Sequence, residues 1–91
     1  MTTRWSPEAA DDFANIVSYI HAQNRSAGQR VASRIYQAVS GLVRFPQKGR
    51  HGRRDGTREL VLAPLPYIVV YRILKNTIEV VRVLHGAQRW P

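Results

Sequence analysis

The spacing of apolar residues changes period once along this chain, and that change restricts the fold more than any other feature. Up to Leu42 the apolar residues recur at helical spacing, and from Thr57 onward they fall in strand-like runs. Ala9, Phe13, Ile16, Val17 and Ile20 mark one face of a helix expected over about Pro7 to His21. Ser6 suits its N-cap and Pro7 its first position, and Glu8, Asp11 and Asp12 sit where the helix dipole favours negative charge. Val31, Ile35, Val39 and Leu42 mark a second helix. Ser26 and Gln29 read as a capping box at its start, and Gly41 and Pro46 as its end. The short polar link Gln23-Asn24-Arg25 predicts an antiparallel helix hairpin. His21 reads as a partner for the dipole at the end of the first helix.

The second half predicts strands. Tyr67 to Leu74 is rich in aromatic and β-branched residues and is the strongest of them. Lys75-Asn76-Thr77 reads as a three-residue hairpin loop leading into a strand over Ile78 to Leu84. Thr57 to Leu62 supplies another strand, and Thr2 to Trp5 an optional short edge strand. Pro64 and Pro66 punctuate the link before Tyr67. The expected fold is α+β: a helix hairpin on a small, mostly antiparallel sheet of three to four strands, forming one domain over residues 1–91. The two longest strands are apolar on both faces. The helices cover one face, and the other is expected to be closed partly by something outside this chain.

Composition narrows the function. Fourteen Lys and Arg oppose six Asp and Glu, a net charge of +8, which favours an anionic partner. Arg44, Lys48, Arg50, Arg53, Arg54 and Arg58 concentrate that charge in the Gly-rich segment after the second helix, opposed there only by Asp55. The absence of cysteine removes disulfides and thiolate metal sites. The few scattered histidines do not make a zinc site, so no metal or cofactor is expected. No stretch approaches the ~20 apolar residues of a membrane span, and Met1 to Trp5 holds no apolar run, so the expected location is the cytoplasm.

Several segments, in this order, resemble toxins of the RelE/ParE superfamily over nearly the whole chain. They are Trp5-Ser6-Pro7-Glu8-Ala9-Ala10-Asp11-Asp12, Phe45-Pro46-Gln47-Lys48-Gly49-Arg50, Arg58-Glu59-Leu60, Tyr67-Ile68-Val69-Val70-Tyr71-Arg72 and Arg82-Val83-Leu84-His85. The resemblance implies one of two activities. RelE-like members cleave mRNA on the ribosome without metal, and ParE-like members inhibit DNA gyrase and are not nucleases. It also implies an acidic, partly disordered cognate antitoxin that folds onto the toxin in a hetero-oligomer.

Metal-free RNA cleavage needs a base, an acid and positive charge around one phosphate. Arg58, Arg72, Arg82 and His85 are the candidates for it, with Glu59 as an alternative base. Lys48, Arg50, His51, Arg53, Arg54 and Trp90 are candidates for binding nucleic acid or an acidic partner. If Leu74 pairs with Ile78, Arg72 and Arg82 become diagonal neighbours on one sheet face. Strict alternation then puts His85 on the other face, beside Tyr67 and Tyr71. A bulge or an early strand end at Leu84 is needed to bring His85 to the arginines. Simpler structural roles are a packing role for Trp5, a strand-end role for His85, and for Glu59 a salt bridge to Arg58 or Arg72. The charge and the arginine pair put mRNA cleavage first and gyrase inhibition second.

Overall fold

The computed structural model describes residues 1–86 and 88–91. Its elements run β1 (Thr2–Trp5), α1 (Pro7–Gln23), α2 (Arg25–Gly41), β2 (Arg50–His51), β3 (Arg58–Val61), β4 (Tyr67–Leu74) and β5 (Thr77–His85). The sheet has five strands in the order β1-β5-β4-β3-β2, with β1 parallel to β5 and the other pairs antiparallel. The α+β class is as expected, but the strand number is higher. The optional edge strand is present, and the two-residue β2 was too short to carry any periodicity.

The helices begin where their caps place them. Ser6 Oγ accepts from the Ala9 N–H at 3.0 Å, with Pro7 next in the chain. For α2 the cap is Asn24, whose Oδ1 accepts from the Ala27 N–H at 3.0 Å. The Ser26–Gln29 capping box is therefore not used. The helix already begins at Arg25, so Ser26 lies inside its first turn, and its Oγ accepts from Arg30 Nη1. The two helices pack closely at Gly28, where an added Cβ would lie 2.9 Å from the backbone of His21.

Ala9, Val31, Ile35 and Val39 meet Leu62, Val69, Val80 and Val83 of the sheet, with Trp5, Phe13 and Ile16 packed around them. Burial of a side chain such as Ile35, fully enclosed here, stabilises the fold by about 1.5–3 kcal/mol. Trp5 is a packing anchor, with its ring 5.5 Å from Phe13 and 5.6 Å from Tyr36. On the sheet's other face Ile68, Val70 and Leu84 form a second cluster, covered by the chain's own Val81 and Trp90. The chain itself thus supplies part of the cover for this face.

The β4–β5 register differs from expectation in two ways. Leu74 pairs with Thr77 rather than Ile78, so the loop is the two residues Lys75-Asn76. A bulge then leaves Val81 unpaired, between the pairs Tyr71–Val80 and Val70–Arg82. The outer edge of β5 is covered by β1 as far as Val80. Beyond it, Ser6 Oγ donates to the Val81 carbonyl at 2.8 Å, and Asp12 Oδ2 accepts from the Val83 N–H at 3.0 Å. The α1 cap Ser6 and the α1 side chain Asp12 thus replace a strand along this edge. Asp12→Ala leaves Val83 N–H and Arg82 without their acceptor and is expected to cost about 2–3 kcal/mol. Asp12→Asn keeps an amide oxygen for Val83 and should fall between the two in urea unfolding.

Candidate functional site

Two clefts adjoin on the helix-free face. One, of about 310 Å³, is lined by Arg54, Asp55, Thr57, Arg72, Glu79 and Val81. The other, of about 290 Å³, is lined by Ser6, Glu8, Arg54, Val81, Arg82 and Trp90. The fold therefore brings Arg54, Arg72, Arg82 and Trp90 together. These include both arginines of the expected anion site, but the basis of the pairing has changed, because Arg72 lies opposite Glu79.

Each arginine in these clefts has a partner. Arg82 grips Asp12 through both carboxylate oxygens, at 2.6 and 3.0 Å, with only a quarter of its side chain exposed. That paired hydrogen bond raises the pKa of Arg82 above its usual value. Arg4, Glu79 and Arg72 stand in register on three neighbouring strands, and Glu79 bonds both arginines. The Arg72 hydrogen bond is the main cause of a lowered Glu79 pKa. Arg54 lies over the Trp90 ring, 5.9 Å from its centroid. Among the residues lining the two clefts, Arg54, Arg72 and Arg82 are matched by Glu8, Asp55 and Glu79, so the formal charge of the linings cancels.

The other candidates lie elsewhere. His85 pairs with Tyr67 across the hairpin, their rings edge to face at 6.0 Å, on the face opposite Arg72. This is the placement that alternation predicted. The bulge that exists is at Val81, too early to carry His85 across. Arg58 is turned to the post-helix segment, donating to the carbonyls of Gly49 at 2.7 Å and Gln47 at 3.3 Å. His51 lies in β2 opposite Arg58. Lys48 is exposed in the turn after α2.

Glu59 bonds neither Arg58 nor Arg72. Its nearly buried carboxylate accepts from Arg50 at 3.0 Å and from the backbone N–H of Arg53 at 3.1 Å. It thereby folds the basic segment 50–53 back over the sheet. Burial raises the Glu59 pKa, but the Arg53 N–H and the Arg50 guanidinium outweigh it, leaving the pKa below its ordinary 4.5. Buried Tyr71 secures the same segment. Its hydroxyl donates to the Pro46 carbonyl at 2.6 Å and accepts from the Gly49 N–H at 2.9 Å. Burial pushes the Tyr71 pKa up, so the phenol stays protonated and able to donate.

Sequence reasoning missed Asp12, Glu79 and Arg4 as members of this constellation. A two-residue loop, had it been chosen, would have put Glu79 opposite Arg72. Asp12 carried no such signal, because it also fits the dipole role at a helix start.

A family model described as "ParE toxin of type II toxin-antitoxin system, parDE" matches residues 3–90. The chain belongs to this family. A "Putative toxin Y4kP" of Sinorhizobium fredii is 43% identical over 88 residues, 97% of this chain and 91% of that protein. "Toxin RelE2" of Caulobacter vibrioides is 33% identical over 84 residues, 92% of this chain and 93% of that one. A solved structure titled "Chromosomal ParDE TA system from P. aeruginosa" superposes with a TM-score of 0.83. It is 23% identical and covers 93% of this chain and 95% of its own, so it shares the fold. Membership of the ParE toxin family makes the protein the toxin of a type II toxin–antitoxin system, with a cognate antitoxin as partner. No described helix is long and apolar enough to cross a membrane.

The Glu59 network makes the toxin's stability depend on pH. A carboxylate whose folded pKa is depressed contributes stability above its unfolded pKa and loses it as pH falls through the folded one. Unfolding free energy should be flat on this account at neutral pH and fall below the ordinary carboxylate value of 4.5. Glu59→Gln should lower stability at pH 7 and flatten that acid limb in denaturant titrations run at several pH values.

Proposed function

We propose that this ParE-family toxin acts without catalysis, by binding DNA gyrase and arresting growth, and that its antitoxin silences it by binding the toxin directly. One observation carries this reading: the groups that RNA cleavage would require do not surround a common point. Arg72 is bonded to Glu79 and Arg82 to Asp12, Arg58 is committed to backbone carbonyls, and His85 is on the opposite face. Cleavage by the 2′-hydroxyl needs proton transfer and charge stabilisation at one phosphate. To supply it here, at least one ion pair must break and His85 must change faces.

The charge-balanced lining of the two clefts fits the same reading. Metal-free cleavage needs excess positive charge where the phosphate reacts, whereas a balanced set of ion pairs beside a buried apolar cluster suits protein contact. Family membership adds support, since ParE-like toxins are the superfamily branch that inhibits gyrase.

Two measurements test the proposal. Purified toxin should inhibit supercoiling by purified gyrase, and induction in cells should raise a DNA damage response while mRNA stays intact. His85→Ala and Arg72→Ala should each arrest growth as the wild type does. Codon-positioned mRNA cleavage that disappears in His85→Ala would sink the proposal and return mRNA cleavage to first place.

A further inference from the structure

A third cleft, of about 800 Å³, lies away from the helix-free face and plays no part in the reading above. Met1, Phe45 and Ile73 supply its apolar surface, and Arg44 and Lys48 its charge. Phe45 is 62% exposed, Met1 51% and Ile73 38%. Large apolar side chains gathered in one exposed place mark an interaction surface more often than scattered ones do.

The turn that carries Phe45 is held rigidly. Tyr71 bridges the Pro46 carbonyl and the Gly49 N–H, and Arg58 bonds the carbonyls of Gln47 and Gly49. A Cβ on Gly49 would sit 2.8 Å from the Tyr71 ring, so the turn lies directly on that side chain. Buried polar groups thus fix a segment whose aromatic residue faces solvent. A surface ordered before binding loses little entropy when a partner arrives.

The charge pattern indicates what that partner is. From Phe13 to Arg54 the chain has eight Lys and Arg and no carboxylate, while the charges of the two flanking segments together cancel. All of the +8 therefore belongs to the stretch that supplies Arg44 and Lys48 to this cleft. Among the described residues, Arg44 and Lys48 have no carboxylate partner. Arg44 lies over the Phe45 ring at 5.9 Å, next to the apolar surface. A second copy of the chain would bring like charges together here.

We infer that this cleft docks an acidic segment of the cognate antitoxin. One aliphatic or aromatic side chain sits between Phe45 and Ile73, and carboxylates flank it against Arg44 and Lys48. The inference rests on the chain being the toxin of a toxin–antitoxin pair, but not on gyrase being its target.

The test measures antitoxin affinity by calorimetry for wild type, Phe45→Ser, Phe45→Asp and the double variant Arg44→Glu, Lys48→Glu. Both Phe45 variants should bind at least about ten-fold more weakly, as expected for an aromatic anchor. The double variant should bind about ten-fold more weakly at low salt, with the deficit shrinking as salt rises. Thermal melting of the free variants should match wild type, because the altered side chains are exposed. In cells, Phe45→Ser should still arrest growth, and co-expressed antitoxin should no longer rescue it fully. Wild-type affinity in all variants overturns the inference. So does loss of growth arrest with antitoxin binding intact, which assigns the cleft to the target. Displacement of the antitoxin by a single-stranded RNA oligonucleotide that the variants fail to bind assigns it to RNA instead. Absence of any wild-type antitoxin binding removes the partner itself, a different failure from loss of this site.

Discussion

The Asp12 carboxylate is the contact on which the arrangement of the two layers depends. It accepts from the Val83 N–H where β1 no longer covers β5, and it holds Arg82 by both oxygens. An uncovered strand edge invites pairing with other chains, and here a helix side chain closes it. Ser6 acts beside it as both helix cap and donor to Val81. The start of α1 is thereby fixed to the bulge in β5, and the core of Ala9, Ile35, Val69 and Val80 assembles behind that junction.

The same contact shapes the chemistry. By engaging Arg82, Asp12 removes from the helix-free face a cation that an anion site would have used. Glu79 does the same to Arg72 and Arg4. Ion pairs of this kind add modest stability where they are exposed, yet they determine which face carries net charge. The excess positive charge lies on the segment from Phe13 to Arg54, of which Arg54 alone lines the clefts beside Arg72 and Arg82 that first suggested RNA chemistry. A toxin that works by contact, with a separate basic and apolar cleft for its antitoxin, is consistent with that distribution.

Around the turn after α2, buried groups are used to position an exposed segment. Tyr71, Arg58 and Glu59 all reach from the sheet to hold residues 46–53. Glu59 and Tyr71 each find full hydrogen-bonding partners there, as burial requires. The basic, Gly-rich stretch after α2 is therefore tethered to the sheet by side chains.

Local sequence determined the helices, the strongest strand and the α+β class. Apolar period, the Ser6-Pro7 start and the β-branched run at Tyr67 to Leu74 act over a few residues, so their effects can be read without knowing what packs against them. It also placed His85 opposite Arg72, because alternation along a strand is local geometry. Tertiary structure alone decided the Val81 bulge, the two-residue β2 and the partners of the charged residues. The bulge forms where α1 meets the edge of β5, and β2 exists because Glu59 folds the chain back on β3. Asp12 and Arg82 are far apart in sequence, as are Arg4 and Glu79, and no local pattern specifies such pairs. Packing brought them together, and with them it decided that Arg72 and Arg82 are already bound to carboxylates.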